Sequence, residues 1–102
     1  MYGLTPQTIE ALQLVFSEIS KIDKVIIYGS RAKGNHRHGS DIDITLLGGA
    51  LDLRNSVYPA MDALEELYLP YSFDISIFDS IVNQELIDHI HRSGKVLYQR
   101  TP

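Results

Sequence analysis

One stretch limits what this chain can fold into more than any other. The apolar, β-branched run Val25-Ile26-Ile27-Tyr28 is stopped by Gly29, and the next apolar run opens at Asp41 and continues to Leu47. A run of this kind, halted by glycine, reads as a short buried strand. The 30–40 connection is too short to hold a full crossover helix, and parallel neighbours need about a dozen or more linking residues. The two strands are therefore either antiparallel or joined by a short helix. Residues 30–34 suit a single helical turn, and 35–40 a polar loop rich in Gly, His and Asn.

The second strand begins Ser40-Asp41-Ile42-Asp43-Ile44. In a strand, residues i and i+2 face the same way, about 6.6 Å apart at a rise of roughly 3.3 Å per residue. Asp41 and Asp43 thus project together, as carboxylates sharing hard divalent cations do. The Gly29-Ser30 turn offers backbone N–H groups and a hydroxyl to an anionic phosphate chain. Metal, phosphate and turn in one place imply phosphoryl or nucleotidyl transfer.

The remaining elements follow from periodicity. Thr5-Pro6 is a helix start, and Ile9, Leu12, Phe16 and Ile19 recur at helical spacing, predicting an amphipathic helix over 5–22. Asp52 caps a third element whose apolar face is Leu53, Val57, Ala60, Met61, Leu64 and Tyr68. Pro59 predicts a kink there or a later start, and Pro70 the stop. Phe73-Asp74-Ile75-Ser76-Ile77-Phe78 alternates as a half-buried strand with Asp74 and Ser76 on one face. Asp79 or Ser80 is expected to cap a last helix carrying Val82, Leu86, Ile87 and Ile90 and ended by Gly94, with Val96-Leu97-Tyr98 as a final short strand. The expected fold class is α+β: a mixed sheet of about four strands packed against helices on one face, its acids on the other face or the edge.

Composition bounds the partners. At 102 residues, 44% hydrophobic and 22% charged, the chain is expected to form one domain spanning 1–102 with a small core. A formal charge of −4, from 9 basic and 13 acidic side chains, is no footprint for long DNA or RNA. The basic residues nevertheless crowd around the motif: Arg31, Lys33, His36, Arg37 and His38, a local positive field suited to a small anion. The absence of cysteine rules out disulfides and thiolate metal sites and fits a reducing compartment. No apolar run approaches the ~18 residues of a membrane span, and no basic-then-apolar leader opens the sequence. A cytoplasmic protein is expected.

Asp41, Asp43 and Asp74 are the acids placed on strands. Aspartate is disfavoured there, and three on one small sheet repel unless a cation neutralises them. Mg²⁺ takes one or two carboxylates with phosphate oxygens and water, and two ions about 3.5–4 Å apart clamp both oxygens of an in-line displacement. Asp74 suits a third ligand, the general base for an attacking hydroxyl, or both in turn. Gly29-x-x-x-x-Gly34 is not a P-loop, because Asn35-His36 stands where Lys-Ser/Thr is required. Ser30 and the adjacent N–H groups remain for a phosphate, with charge-assisted contacts from Arg31 and Lys33. His89 and His91, two apart on a helix, do not share a face and make no local metal pair. The six tyrosines read as core edges or interface residues.

Gly29-Ser30, ten intervening residues, Asp41-Ile42-Asp43-Ile44 and the later strand Asp74 resemble the nucleotidyltransferase motif of the DNA polymerase β superfamily. The spelling Gly-Ser-Arg-Ala-Lys-Gly and the chain length are most similar to its minimal nucleotidyltransferases (MNT). The resemblance implies a mixed-sheet fold flanked by helices, Mg²⁺-dependent use of a nucleoside triphosphate, with ATP the leading expectation among such triphosphates, and release of pyrophosphate. It implies that Gly29 and Ser30 hold the triphosphate, that Asp41 and Asp43 bind metal, and that Asp74 completes the triad; Arg31, from its charge and place, is expected as a further nucleotide contact. Members of this size often pair as antitoxins with an all-helical HEPN toxin and transfer AMP to one of its tyrosines. The expected core uses nearly every residue, so the acceptor is expected on another protein. Two other readings remain open: a module that neutralises a toxin by contact alone, and a small-molecule nucleotidyltransferase working in an oligomer.

Overall fold

A computed structural model describes residues 1–34 and 41–101. The expectations for His36, Arg37, His38 and Ser40, and for the polar 35–40 loop, lie outside the described residues.

The first helix, α1 (Pro6–Ser17), starts where the cap residues place it: the Thr8 N–H donates to Thr5 Oγ1 at 3.1 Å, and Pro6 opens the first turn. It is shorter than the 5–22 span expected. Its end is set from far away in sequence, by Arg100. That guanidinium donates to the carbonyls of Ser17 (3.3 Å), Ile19 (3.0 Å) and Ile22 (3.1 Å), taking acceptors that a helix end leaves unsatisfied. The chain turns there and drives Ile22 into the core.

Strand β1 (Lys24–Tyr28) leads through the four-residue helix α2 (Ser30–Lys33) to β2 (Ile42–Leu47). The two strands are antiparallel and joined by a short helix, so both alternatives raised by the short connection hold together. Asp52 caps the next element by reciprocal bonding. The Asn55 N–H donates to Asp52 Oδ1 (2.7 Å), and the Asp52 N–H donates to Asn55 Oδ1 (2.9 Å). The first turn, Leu53–Val57, is a π-helix; α3 (Tyr58–Glu65) then begins with Pro59 in its first turn. The wider turn shifts the helical phase. Val57, Ala60 and Leu64 are buried, whereas Leu53 and Met61, expected on the same face, are exposed. The helix also stops before Pro70. Tyr68 takes φ +52° and is 91% exposed, so it belongs to the turn and not to an apolar stripe.

Strand β3 (Phe73–Ile77) runs into a 3₁₀ turn (Phe78–Ser80), and α4 (Gln84–Ser93) precedes β4 (Lys95–Gln99). The cap of α4 is Asn83, whose Oδ1 accepts from the Leu86 N–H at 3.1 Å, and not Asp79 or Ser80. Val82 lies before the helix, 94% exposed, outside the face assigned to it from periodicity. Gly94 does end the helix.

The four strands lie in the order β3-β2-β1-β4, with β2 and β3 parallel and the other pairs antiparallel. This is the mixed α+β sheet expected. Val25 and Ile27 of β1 and Ile42, Ile44 and Leu46 of β2 point to one face and are fully buried with Leu12 and Phe16 of α1 and Ala60 and Leu64 of α3. The expectation of helices on a single face is corrected by α4. It packs against Ile26, which alternates with Val25 and Ile27 and so faces the other way: a Cβ on Gly94 would stand 2.7 Å from Ile26 Cγ2. Only glycine lets the helix end come this close. Among the described residues, no helix is long and apolar enough to cross a membrane.

Candidate active site

Sheet register assembles the site. Tyr28 of β1 pairs with Asp43 of β2, and Asp43 pairs with Asp74 of β3. Directly paired residues on neighbouring strands share a face, so Tyr28, Asp43 and Asp74 form one row across three strands. Ser76 lies two residues beyond Asp74 on the same face. It is the face opposite the main core, where α4 packs.

Gly29 follows Tyr28 with φ +78° and ψ −152°, backbone angles that a residue with a side chain tolerates poorly. A Cβ there would stand 2.5 Å from Asp43 Oδ2. The absence of that one carbon lets the Asp43 carboxylate lie against the turn from which Ser30 and α2 emerge. Ser30 is half-buried at the first position of α2, and Lys33 is exposed in its last turn. Asp41 is exposed and sits one residue before β2.

Asp43 lies within electrostatic range of both other acids. Burial raises the Asp43 carboxyl above the ordinary carboxylate value, the charges of Asp74 and then Asp41 push the same way, and His89 opposes them. The Tyr28 phenol is also raised, first by burial; a hydrogen bond with the Ser76 side chain opposes the shift, and the Asp74 and Asp43 charges add to it. A carboxylate raised by burial and by neighbouring acids suits a cation beside it. Among the described residues, no three His, Cys, Asp or Glu side chains form a ready-made metal cluster.

Sequence reasoning missed the wall behind the acids. His89 meets the Tyr28 ring edge-on, with centroids 6.4 Å apart at 80°. Tyr28 reads from sequence as a core edge, and His89 as one of two histidines without a shared face. That second reading holds, because His91 turns instead to stack on Phe78 at 5.6 Å. Strand parity puts Tyr28 opposite Val25 and Ile27, which is a usable signal; nothing local to α4 says which strand His89 will meet.

Arg31 points inward. Its side chain is 2% exposed, Nη1 donates to the Tyr2 carbonyl at 2.9 Å, and the guanidinium lies 4.7 Å from the centre of the Tyr71 ring. A cavity of about 450 Å³, lined by Met61, Leu64, Leu69, Tyr71 and Phe73 among others, opens between the end of α3 and the start of β3. None of the three acids lines it.

The family model of polymerase β nucleotidyltransferases matches residues 10–102. No curated protein matches the chain in sequence. Among solved structures, a toxin–antitoxin complex with AMP-PNP aligns at TM-score 0.72 and 21% identity, covering 91% of this chain and 74% of the other. The toxin–antitoxin MntA–HepT aligns at 0.68 and 19%, covering 94% and 74%. A complex of the tri-AMPylated HEPN toxin of Shewanella oneidensis with its MNT antitoxin aligns at 0.55 and 21%, covering 87% and 73%. At these identities the likeness establishes the fold.

Proposed function

Because the chain belongs to the polymerase β nucleotidyltransferase family, we propose that it transfers AMP from ATP to a hydroxyl of a partner protein, a tyrosine of a helical HEPN-type toxin, and so acts as an antitoxin. The observation that carries the chemistry is the row formed by Asp43 and Asp74, in register on parallel strands, with Asp43 laid against the glycine of the turn. Acids and turn thus adjoin, as a reaction at a nucleotide phosphate requires. The partner rests on the fold neighbours, described as toxin–antitoxin complexes, one with AMP-PNP and one with an AMPylated HEPN toxin.

The donor set fits Mg²⁺. It consists of carboxylate oxygens, with Asp43 raised first by burial and then by the charges of Asp74 and Asp41, and Mg²⁺ takes one or two carboxylates while phosphate oxygens and water complete its shell. Asp41, Asp43 and Asp74 would hold the metal; when bound, two such ions supply neutralisation of the triphosphate and of the charge that develops during transfer. Gly29 and Ser30 receive the phosphates through backbone N–H groups and the serine hydroxyl. The acceptor oxygen bonds to the α-phosphorus while the bond from that phosphorus to the β-phosphate bridge breaks, and pyrophosphate leaves. The hydroxyl proton passes to Asp74, which is exposed and can return it to solvent.

The test is ATP labelled at the α-phosphate, incubated with this chain and its partner toxin. Label is expected on the toxin, and Asp43→Ala is expected to remove both labelling and protection. Protection by the variant equal to that of the parent would leave neutralisation by contact as the function, and label found only in a soluble metabolite would replace the protein acceptor with a small molecule.

A further inference from the structure

Among the described residues, Arg31 is the only charged side chain that is buried. An enclosed guanidinium is costly unless its donors and its flat faces find partners. Two of its partners come from distant parts of the chain. The Tyr2 carbonyl belongs to a tight N-terminal turn in which the Leu4 N–H donates to the Met1 carbonyl at 2.8 Å. Tyr71 belongs to the segment entering β3, where the Ser72 carbonyl accepts from the Ile42 N–H at 2.9 Å and so starts the pairing of β2 with β3. Arg31 itself follows Ser30 in α2, a helix of four residues that is too short to hold its own place by helical bonding.

We infer that Arg31 is a positioning residue for the transfer site: its guanidinium, held by the Tyr2 carbonyl and the Tyr71 ring, fixes α2 so that Gly29 and Ser30 meet the phosphates beside Asp43, and it is not itself a phosphate ligand. The inference rests on the nucleotide reading above. It departs from the expectation that the basic residue of the motif touches the triphosphate. The two roles demand different chemistry. A phosphate contact tolerates lysine, which binds phosphate well as a point charge. A planar group gripped by a carbonyl and an aromatic face does not, because lysine has neither the fork nor the flat face.

Binding of AMP-PNP with Mg²⁺, measured by calorimetry on the full chain, separates them. Arg31→Lys and Tyr71→Leu are each expected to weaken binding about tenfold, the equivalent of about 1.4 kcal/mol. Their double variant should lose little more than either alone, because both break one contact. Tyr71→Phe, which keeps the ring, should bind like the parent, and the contrast between it and Tyr71→Leu decides the test if Arg31→Lys fails to fold. Parent-like binding by both Arg31→Lys and Tyr71→Leu, or a loss on Arg31→Met that lysine restores, overturns the inference. Ser30→Ala and Asp43→Asn locate the failure. If they lose AMP-PNP while the Arg31→Lys and Tyr71→Leu variants keep it, only the positioning role falls; if they bind like the parent, the nucleotide reading falls and takes this inference with it.

Discussion

The two faces of this sheet are built from the same strands and obey opposite rules. On one, Val25, Ile27, Ile42, Ile44 and Leu46 are sealed against α1 and α3. On the other, one residue out of phase, Tyr28, Asp43 and Asp74 stand in a row with Ser76 two residues beyond Asp74, and Asp43 and Asp74 are paired acid to acid. The first face lowers the free energy of the folded chain by removing apolar area from water. The second raises it, since like charges directly opposite each other destabilise a sheet. The contrast shows that the apolar face secures the register, and the register then forces the carboxylates together. A site of this kind can be held against its own repulsion because a one-residue slip would turn the whole apolar set to water.

The largest expected effect comes from damaging the face that does the holding. Ile44→Ala, at a fully buried central position, should cost about 2–5 kcal/mol in denaturant unfolding, and the loss of transfer activity should track the loss of folded protein. A smaller effect of a different kind is expected at the boundary between turn and acid. Gly29→Ala places a Cβ against Asp43 Oδ2 at a backbone conformation that disfavours a side chain, which should cost about 1–3 kcal/mol. Here activity should fall in the fraction that remains folded, because relief of the clash moves Asp43; active folded protein would contradict the close approach.

Asp43→Asn should have the opposite sign for stability. The Asp43 carboxyl is raised in the folded chain, so the folded state holds its proton more tightly than the unfolded state does. That contribution is full below the ordinary carboxylate range and is lost as pH rises through the raised value. In metal-free buffer at neutral pH the variant should therefore melt above the parent, by an amount that solvent screening keeps small, the gap closing in acid, while transfer activity disappears. Thermal melts across pH test this directly; a lower melting temperature at neutral pH would mean that Asp43 makes a net stabilising contact. The smallest effect is expected at Val82→Ser. Periodicity assigns Val82 to a core, the structure leaves it in solvent, and unfolding should shift by no more than about 0.5 kcal/mol.

Much of the site is legible in the sequence because its grammar is local. Gly29 ending an apolar run, and Asp41 and Asp43 two residues apart at the start of the next, name the turn and two acids without knowledge of the fold. The alternation Phe73 to Phe78 does the same for Asp74. Helix boundaries are less legible where a distant residue sets them. Arg100 ends α1 by binding carbonyls some eighty residues earlier in the chain, and no pattern around residue 17 announces it. The π-turn before α3 defeats periodicity in another way, since the extra residue in that turn takes Leu53 off the face that Val57, Ala60 and Leu64 share, while Met61, on the regular helix beyond it, lies at the exposed edge of that face.

The sequence by itself determined the element types, the turn and the identity of the acids, because strand parity and glycine chemistry act over a few residues. Only the tertiary structure decided what those elements meet. Pairing of β2 with β3 set Asp43 opposite Asp74, the docking of α4 on the Ile26 face brought His89 to Tyr28, and the meeting of three segments buried Arg31. These are contacts between residues far apart in the chain. Their free energy comes from apolar burial shared by the whole sheet, and no local window of the sequence contains it.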